Sequence, residues 1–147
     1  AELLKCYGLW YGLRFATVYF YNVYGPGESS DDRFGTVVSK FLAAAKTEDK
    51  FVSITAPGTQ TRNFTHIDDV IEALMLVGLY GEGDGYGIGV LEDYSIIDLA
   101  EMVGLKYCIS ESHPANRISA SVHNEKTLEL GWKPKKNLKD FINSVVK

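Results

Sequence analysis

The run Phe15-Ala16-Thr17-Val18-Tyr19-Phe20-Tyr21 is aromatic and β-branched without polar alternation, and Asn22-Val23-Tyr24-Gly25-Pro26-Gly27 follows it directly. A near-continuous apolar run of this length predicts a strand buried on both faces, as in a parallel sheet. Tyr24-Gly25-Pro26-Gly27 then breaks the chain, because glycine and proline punctuate regular structure. Ligands of open α/β sheets bind outside the carboxyl ends of parallel strands, so Asn22 at this exit is a candidate polar contact. Spacing alone equally allows an asparagine that only caps the turn.

Working outward, residues 1–12 read as a helix ending at Gly12, and 35–46 as a second, with Val37, Val38, Phe41, Leu42 and Ala45 on one face. Phe51-Val52-Ser53-Ile54 reads as a short strand stopped by Pro57-Gly58. The clearest helix is 67–79, where Ile67, Val70, Ile71, Leu74 and Val77 recur at helical spacing and Thr65 with Asp68 fits a capping box. Ser95 with Asp98 offers a second capping box. Strands are expected near Tyr86–Leu91 and Tyr107–Ser110, and closing helices near 123–130 and 138–146, the last after an Asn137 cap. Strands alternating with helices predict an α/β fold with a mostly parallel sheet, formed by residues 1–147 as a single unit.

Composition excludes several function classes. The net charge of -4 argues against a nucleic-acid surface. Apolar stretches break before the roughly 18 residues that a membrane span needs. Cys6 and Cys108 form no C-x-x-C pair and read as reduced core thiols of a cytoplasmic protein. His66, His113 and His123 lack metal-ligand spacing, and no G-x-S-x-G elbow is present. The glycine-rich Gly81–Gly89 stretch follows a helix and precedes a strand. A dinucleotide fingerprint needs the reverse order, so this stretch reads as a turn. Arg62 stands shortly before a helix N-terminus, where a guanidinium can fork onto a phosphate. Spacing alone favours a surface arginine in an ion pair there.

Together these segments resemble the extended short-chain dehydrogenase/reductases, specifically the NAD-dependent sugar-nucleotide epimerases and dehydratases, of which UDP-glucose 4-epimerase is a familiar member. The F-N-x-Y-G-P-G strand exit is matched from Tyr21 to Gly27, with tyrosine in the first place. The G-x-Q-x-R-D-F-x-x-V-D-D-V segment is matched from Gly58 to Val70, with Asn63 for the aspartate and Ile67 for the first valine. Tyr86-Gly87-Ile88-Gly89 resembles the family's Y-N-I-G strand, and Leu130-Gly131-Trp132-Lys133-Pro134 its L-G-W-x-P close. The opening Ala1-Glu2-Leu3-Leu4 resembles the helix that follows the catalytic Tyr-x-x-x-Lys, so the chain reads as one cut from a longer protein.

The resemblance implies an incomplete Rossmann-like parallel sheet plus the family's small C-terminal substrate-binding subdomain. It implies that Asn22 binds the substrate's diphosphate or sugar, that Arg62 clamps the pyrophosphate, and that Tyr21 lies near the nicotinamide. A second family arginine and an aspartate align with His113 and Asn116, so either the nucleotide is gripped differently or the substrate is not a typical UDP-sugar. None of the nine tyrosines has a lysine four residues later, and no Gly-rich strand–turn–helix occurs. The expectation is therefore a substrate-binding portion that takes a nucleotide-diphosphate sugar but binds no NAD and is catalytically silent alone. The alternatives are a stand-alone sugar-nucleotide-binding module and a regulatory or structural subunit. Loss of sheet neighbours around Phe15–Tyr21 predicts self-association or docking of an N-terminal half.

Overall fold

The computed structural model describes residues 1–29, 31, 34–112 and 117–146. Helix α1 (Glu2–Tyr11) opens the chain, followed by strands β1 (Ala16–Phe20) and β2 (Val23–Tyr24) and helix α2 (Val37–Ala44). Strands β3 (Phe51–Thr55), β4 (Thr61–Asn63) and β5 (Thr65–His66) lead into helix α3 (Ile67–Tyr80). Strands β6 (Gly83–Ile88) and β7 (Asp93–Ser95) precede helix α4 (Ile96–Val103) and strand β8 (Lys106–Ser110). Helices α5 (Glu125–Glu129) and α6 (Leu138–Val146) close the fold.

The strands form pairs, not one continuous sheet. Parallel pairs join β1 to β6, β2 to β5 and β3 to β8, while β4 and β7 run antiparallel. The α/β class and the parallel preference read from the sequence both hold. The larger core gathers Phe41 of α2, Ile54 of β3, Leu99 of α4 and Ile142 of α6 around Tyr24 and Phe64. A smaller core of Val70, Ala73, Ile88 and Trp132 joins α3 to β6 and the C-terminal segment.

Several local expectations need correction. Strand β1 is not buried on both faces: Tyr19 and Phe20 are 45% and 52% exposed. Among the described residues β1 has β6 as its one strand neighbour, so apolar composition alone could not supply the second cover. The capping box at α3 is replaced by His66, whose Nδ1 accepts from the Asp68 N–H at 3.1 Å. Thr65 is committed instead to the neighbouring strand segment, where its Oγ1 accepts from the Val90 N–H at 3.3 Å. Neither cysteine is a core thiol, since Cys6 is half-buried and Cys108 exposed.

The glycine-rich stretch is mostly strand, and β6 starts at Gly83, ahead of the expected Tyr86. The reason is close approach. A Cβ on Gly87 would collide with the His123 carbonyl, and one on Gly89 would lie 2.6 Å from the Tyr21 ring. Two buried side chains fill the space so created: Asn124 donates to the Gly89 oxygen and Thr127 to the Gly87 oxygen, both at 2.7 Å. The other boundaries hold closely. The Ser95–Asp98 capping box is formed in both directions, and Asn137 Oδ1 accepts from the N–H groups of Lys139 and Asp140.

Candidate functional site

Between β1 and β2 the chain turns through Tyr21 and Asn22, and Asn22 takes a left-handed φ of 31°. Asparagine tolerates that region better than most residues. Its Nδ2 donates to the Asn63 oxygen at 2.9 Å, and its own carbonyl accepts from the Thr65 N–H at 3.2 Å. The strand exit is thereby strapped to the β4–β5 segment. Asn22 thus organises the turn and also lines a cavity.

That cavity has a volume of about 500 Å³, within the usual range for small-molecule sites. Its polar lining includes Asn22, Lys40 and Arg62, set against apolar walls of Phe41, Ile54 and Phe64. Arg62 sits on β4, half-buried, with Nη1 donating to the Thr61 oxygen at 2.7 Å. Burial lowers its pKa first, and the nearby positive charge of Arg117 lowers it further. The guanidinium remains cationic at neutral pH regardless.

Asn63 explains one departure from the family pattern. It is buried, and its Nδ2 donates to the carbonyl oxygens of Leu91 and Glu92 at 3.0 and 3.2 Å. An ionised aspartate has no proton to offer either oxygen.

Tyr21 lies apart from this cavity. Its ring packs on Gly89, and its hydroxyl accepts from the His123 N–H at 3.2 Å. His113 and Asn116 lie outside the described residues. Lys40 and Arg117 were not singled out in the sequence, where no motif carried them. Only the folding of α2 and of the segment around Ile118 onto β3 and β4 brings them near Arg62.

The residues of Gly81–Gly89 do not fit a dinucleotide pyrophosphate. Such a group needs free backbone N–H donors opening a helix. Here the run is paired with β1, covered at Gly87 and Gly89 by His123 and Tyr21, and followed by β7. Among the described residues no group of three or more metal-ligating side chains occurs, and no helix is long and apolar enough to cross a membrane.

A sequence profile of the NAD dependent epimerase/dehydratase family matches residues 1–89. UDP-glucuronic acid decarboxylase 6 of Arabidopsis thaliana is 32% identical over 140 residues, covering 88% of this chain and 39% of that protein. The dTDP-D-glucose 4,6-dehydratase of Homo sapiens is 33% identical over 139 residues, covering 85% of this chain and 38% of that protein. The structure of UDP-glucuronic acid 4-epimerase from Bacillus cereus, in complex with UDP-glucuronic acid and NAD, superimposes with a TM-score of 0.81. It is 25% identical, with 99% of this chain and 48% of that one covered. The chain thus spans less than half the length of the relatives it matches. It belongs to the NAD dependent epimerase/dehydratase family.

Proposed function

We propose that this chain is the substrate-binding portion of a sugar-nucleotide epimerase or dehydratase and is not catalytic on its own. The observation that carries this reading is that Asn22 and Arg62, from separate segments, line one cavity together with Lys40. Cationic side chains suit a diphosphate, and the apolar walls suit a base or sugar face. The relatives are named for three different reactions, a decarboxylation, a dehydration and an epimerisation. All three names specify a nucleotide sugar or sugar acid, which supports the ligand class over any one activity. His113 and Asn116 are proposed to complete the grip on the nucleotide. Tyr21, clear of the cavity, is proposed to touch a cofactor held by the remainder of a longer protein.

Isothermal titration with UDP and UDP-glucuronic acid tests the assignment. Binding to the wild-type chain is expected to weaken roughly tenfold to a hundredfold in Arg62→Ala, the value of one charged hydrogen bond. Tyr21→Ala is expected to leave UDP binding unchanged. Binding that ignores the loss of Arg62 would remove the site assignment.

A second reading concerns assembly, and one observation favours it. No residue of α1 is buried, and Leu9, Trp10 and Tyr11 are 86%, 67% and 74% exposed. A cavity of about 420 Å³ lies against this helix at Lys5, Gly8 and Leu9, and another of about 450 Å³ lies between β1 and α3, both bordered by Arg14 and Phe15. A surface of this kind is proposed to be covered by a second copy or by an N-terminal half. Sedimentation velocity over a range of concentrations is expected to show a dimer or larger species, and a clean monomer throughout would refute self-association.

A further inference from the structure

His66 stands at a junction: it ends β5, pairs with Tyr24 of β2 and supplies the N-cap of α3. The residue is 6% exposed, and its ring packs edge-on against Tyr24 and Phe141, with centroids 5.2 and 5.6 Å away. Nδ1 accepts the Asp68 N–H at 3.1 Å, so this nitrogen carries the lone pair and the neutral ring holds its proton on Nε2. Among the described residues Nε2 makes no hydrogen bond, and His66 borders a cavity of about 250 Å³ together with Lys135, Lys136, Asn137 and Asp140. An oxygen of the Asp68 carboxylate, a group 60% exposed, lies 3.6 Å from the same Nδ1. The other charged or titratable groups nearby are Asp69 of α3, Lys135 and Lys136 ahead of α6, Asp140 of α6 and the Tyr24 phenol. The Asp69 carboxylate is taken by the N–H groups of Lys135 and Lys136, and the Lys135 ammonium by Glu72. Asp68, with the Lys136 ammonium 3.9 Å away, is thus the carboxylate beside Nδ1.

We infer that His66 is a proton-operated cap, which holds the start of α3 while its imidazole is neutral and releases it on protonation. Histidine is the side chain that changes charge in mildly acidic water. Here the incoming proton must take the lone pair that caps α3. The Asp68 N–H then loses its acceptor, and the new Nδ1–H turns to the Asp68 carboxylate. The segment behind this cap also builds the wall of the cavity that holds Asn22 and Arg62. The Thr65 N–H straps the Asn22 oxygen, and Phe64 and Arg62 line that cavity. Release of the first turn of α3 loosens this strap and weakens ligand binding. That last step rests on the nucleotide-diphosphate-sugar reading above, whereas the cap exchange does not.

The test is an NMR titration of the 147-residue chain between pH 8 and pH 5, following the His66 ring and the Asp68 backbone amide in wild type and His66→Asn. In wild type the Asp68 amide is expected to shift with the same midpoint as the His66 ring. In His66→Asn it should stay still, because asparagine caps a helix without titrating. Wild type is also expected to bind UDP-glucuronic acid roughly twofold to fivefold more weakly at pH 5 than at pH 8, up to the worth of one helix cap. His66→Asn should lack that loss. An Asp68 amide that does not follow His66 would overturn the cap exchange, and the wild-type spectrum decides this even where the variant does not fold. An amide that follows it, beside the same acid response of affinity in both chains, would overturn the coupling to the cavity. A wild-type chain that fails to bind UDP-glucuronic acid at either pH would overturn the ligand reading and the coupling, leaving the cap exchange to stand or fall on the amide.

Discussion

The indole Nε1 of Trp132 donates to the backbone oxygen of Asp69 at 2.9 Å, although the two residues are 63 positions apart. The carboxylate of the same Asp69 accepts from the N–H groups of Lys135 and Lys136 at 3.0 and 2.9 Å. Asp69 is 2% exposed and Trp132 is 1% exposed. One buried acid in the first turn of α3 therefore holds the whole segment that leads into α6. The nearby Lys135–Glu72 pair at 2.8 Å is exposed at the surface and adds little.

Removing the Asp69 carboxylate should loosen that segment. Asp69→Ala leaves two sheltered N–H donors without acceptors, a loss of about 3 kcal/mol. Thermal unfolding followed by circular dichroism should show a Tm lower by on the order of 10 °C. An unchanged Tm would mean that Lys135 and Lys136 are not anchored through Asp69.

Trp132 and Trp10 are the only tryptophans and lie in opposite environments, 1% and 67% exposed. In Trp10→Phe the remaining emission should be blue-shifted and resist acrylamide quenching. Trp132→Ala should cost about 3–5 kcal/mol through the cavity left among Val70, Ala73 and Ile88. Trp132→Phe should cost less, about 1–2 kcal/mol, because chiefly the Nε1 hydrogen bond is lost.

Asn63→Asp restores the residue of the family pattern yet should destabilise this chain. The new carboxylate would face the Leu91 and Glu92 carbonyl oxygens without a donor. At pH 7 the loss should be roughly 2–4 kcal/mol. Burial raises the folded-state pKa of such a carboxyl, so stability relative to wild type should recover as pH falls toward 4. Urea unfolding of both chains at pH 4 and pH 7 checks this, and a variant equally stable at pH 7 would contradict it.

Gly87→Ala should disrupt the packing of α5 on β6. Its methyl group would strike the carbonyl oxygen of His123, which is backbone and cannot swing aside. The expected loss is about 3 kcal/mol or more. The natural comparison is Gly27→Ala, where among the described residues no atom beyond the chain neighbours lies within 4 Å of an added Cβ. There the positive φ alone should cost about 1–2 kcal/mol. Equal losses at the two positions would show that close approach at Gly87 is unimportant.

Stability should fall at alkaline pH through two tyrosines. Burial pushes the Tyr24 phenol well above its usual range and Tyr94 up to about 12, with Glu92 adding to the latter. In the unfolded chain both ionise near pH 10. Their contribution is fully present below pH 10 and is lost as pH rises toward the folded values. Tyr24→Phe should shrink that loss, read as the urea midpoint at pH 8 and pH 11. Because the buried Tyr24 hydroxyl has no hydrogen-bond partner among the described residues, the variant should also match or exceed wild type at pH 8 by about 1 kcal/mol.

The local devices were legible in the sequence because their signals are short-range. Ser95 and Asp98 are three residues apart and form the capping box that their spacing announces. Asn137 caps α6 through its own side chain, and Gly12 ends α1 in the left-handed conformation. At α3 the same kind of reasoning chose Thr65 over His66. A side chain near a helix start can bond in more than one direction, and Thr65 was drawn to Val90.

What the sequence by itself determined is the alternation of apolar strands with amphipathic helices, and hence the α/β class. Collinear motifs likewise pointed to Asn22 and Arg62, because backbone propensity and side-chain period are carried within a few consecutive residues. Only the tertiary structure decided that Lys40 lines the same cavity, and that Asn63 must be a donor. It also decided that Gly87 and Gly89 serve close approach rather than a turn, and that β1 is left partly uncovered. Those outcomes depend on which distant segments meet: Ile118 on Thr61, His123 on Gly87, Trp132 on Asp69. Burial and charge proximity are properties of such meetings, and no local pattern encodes them.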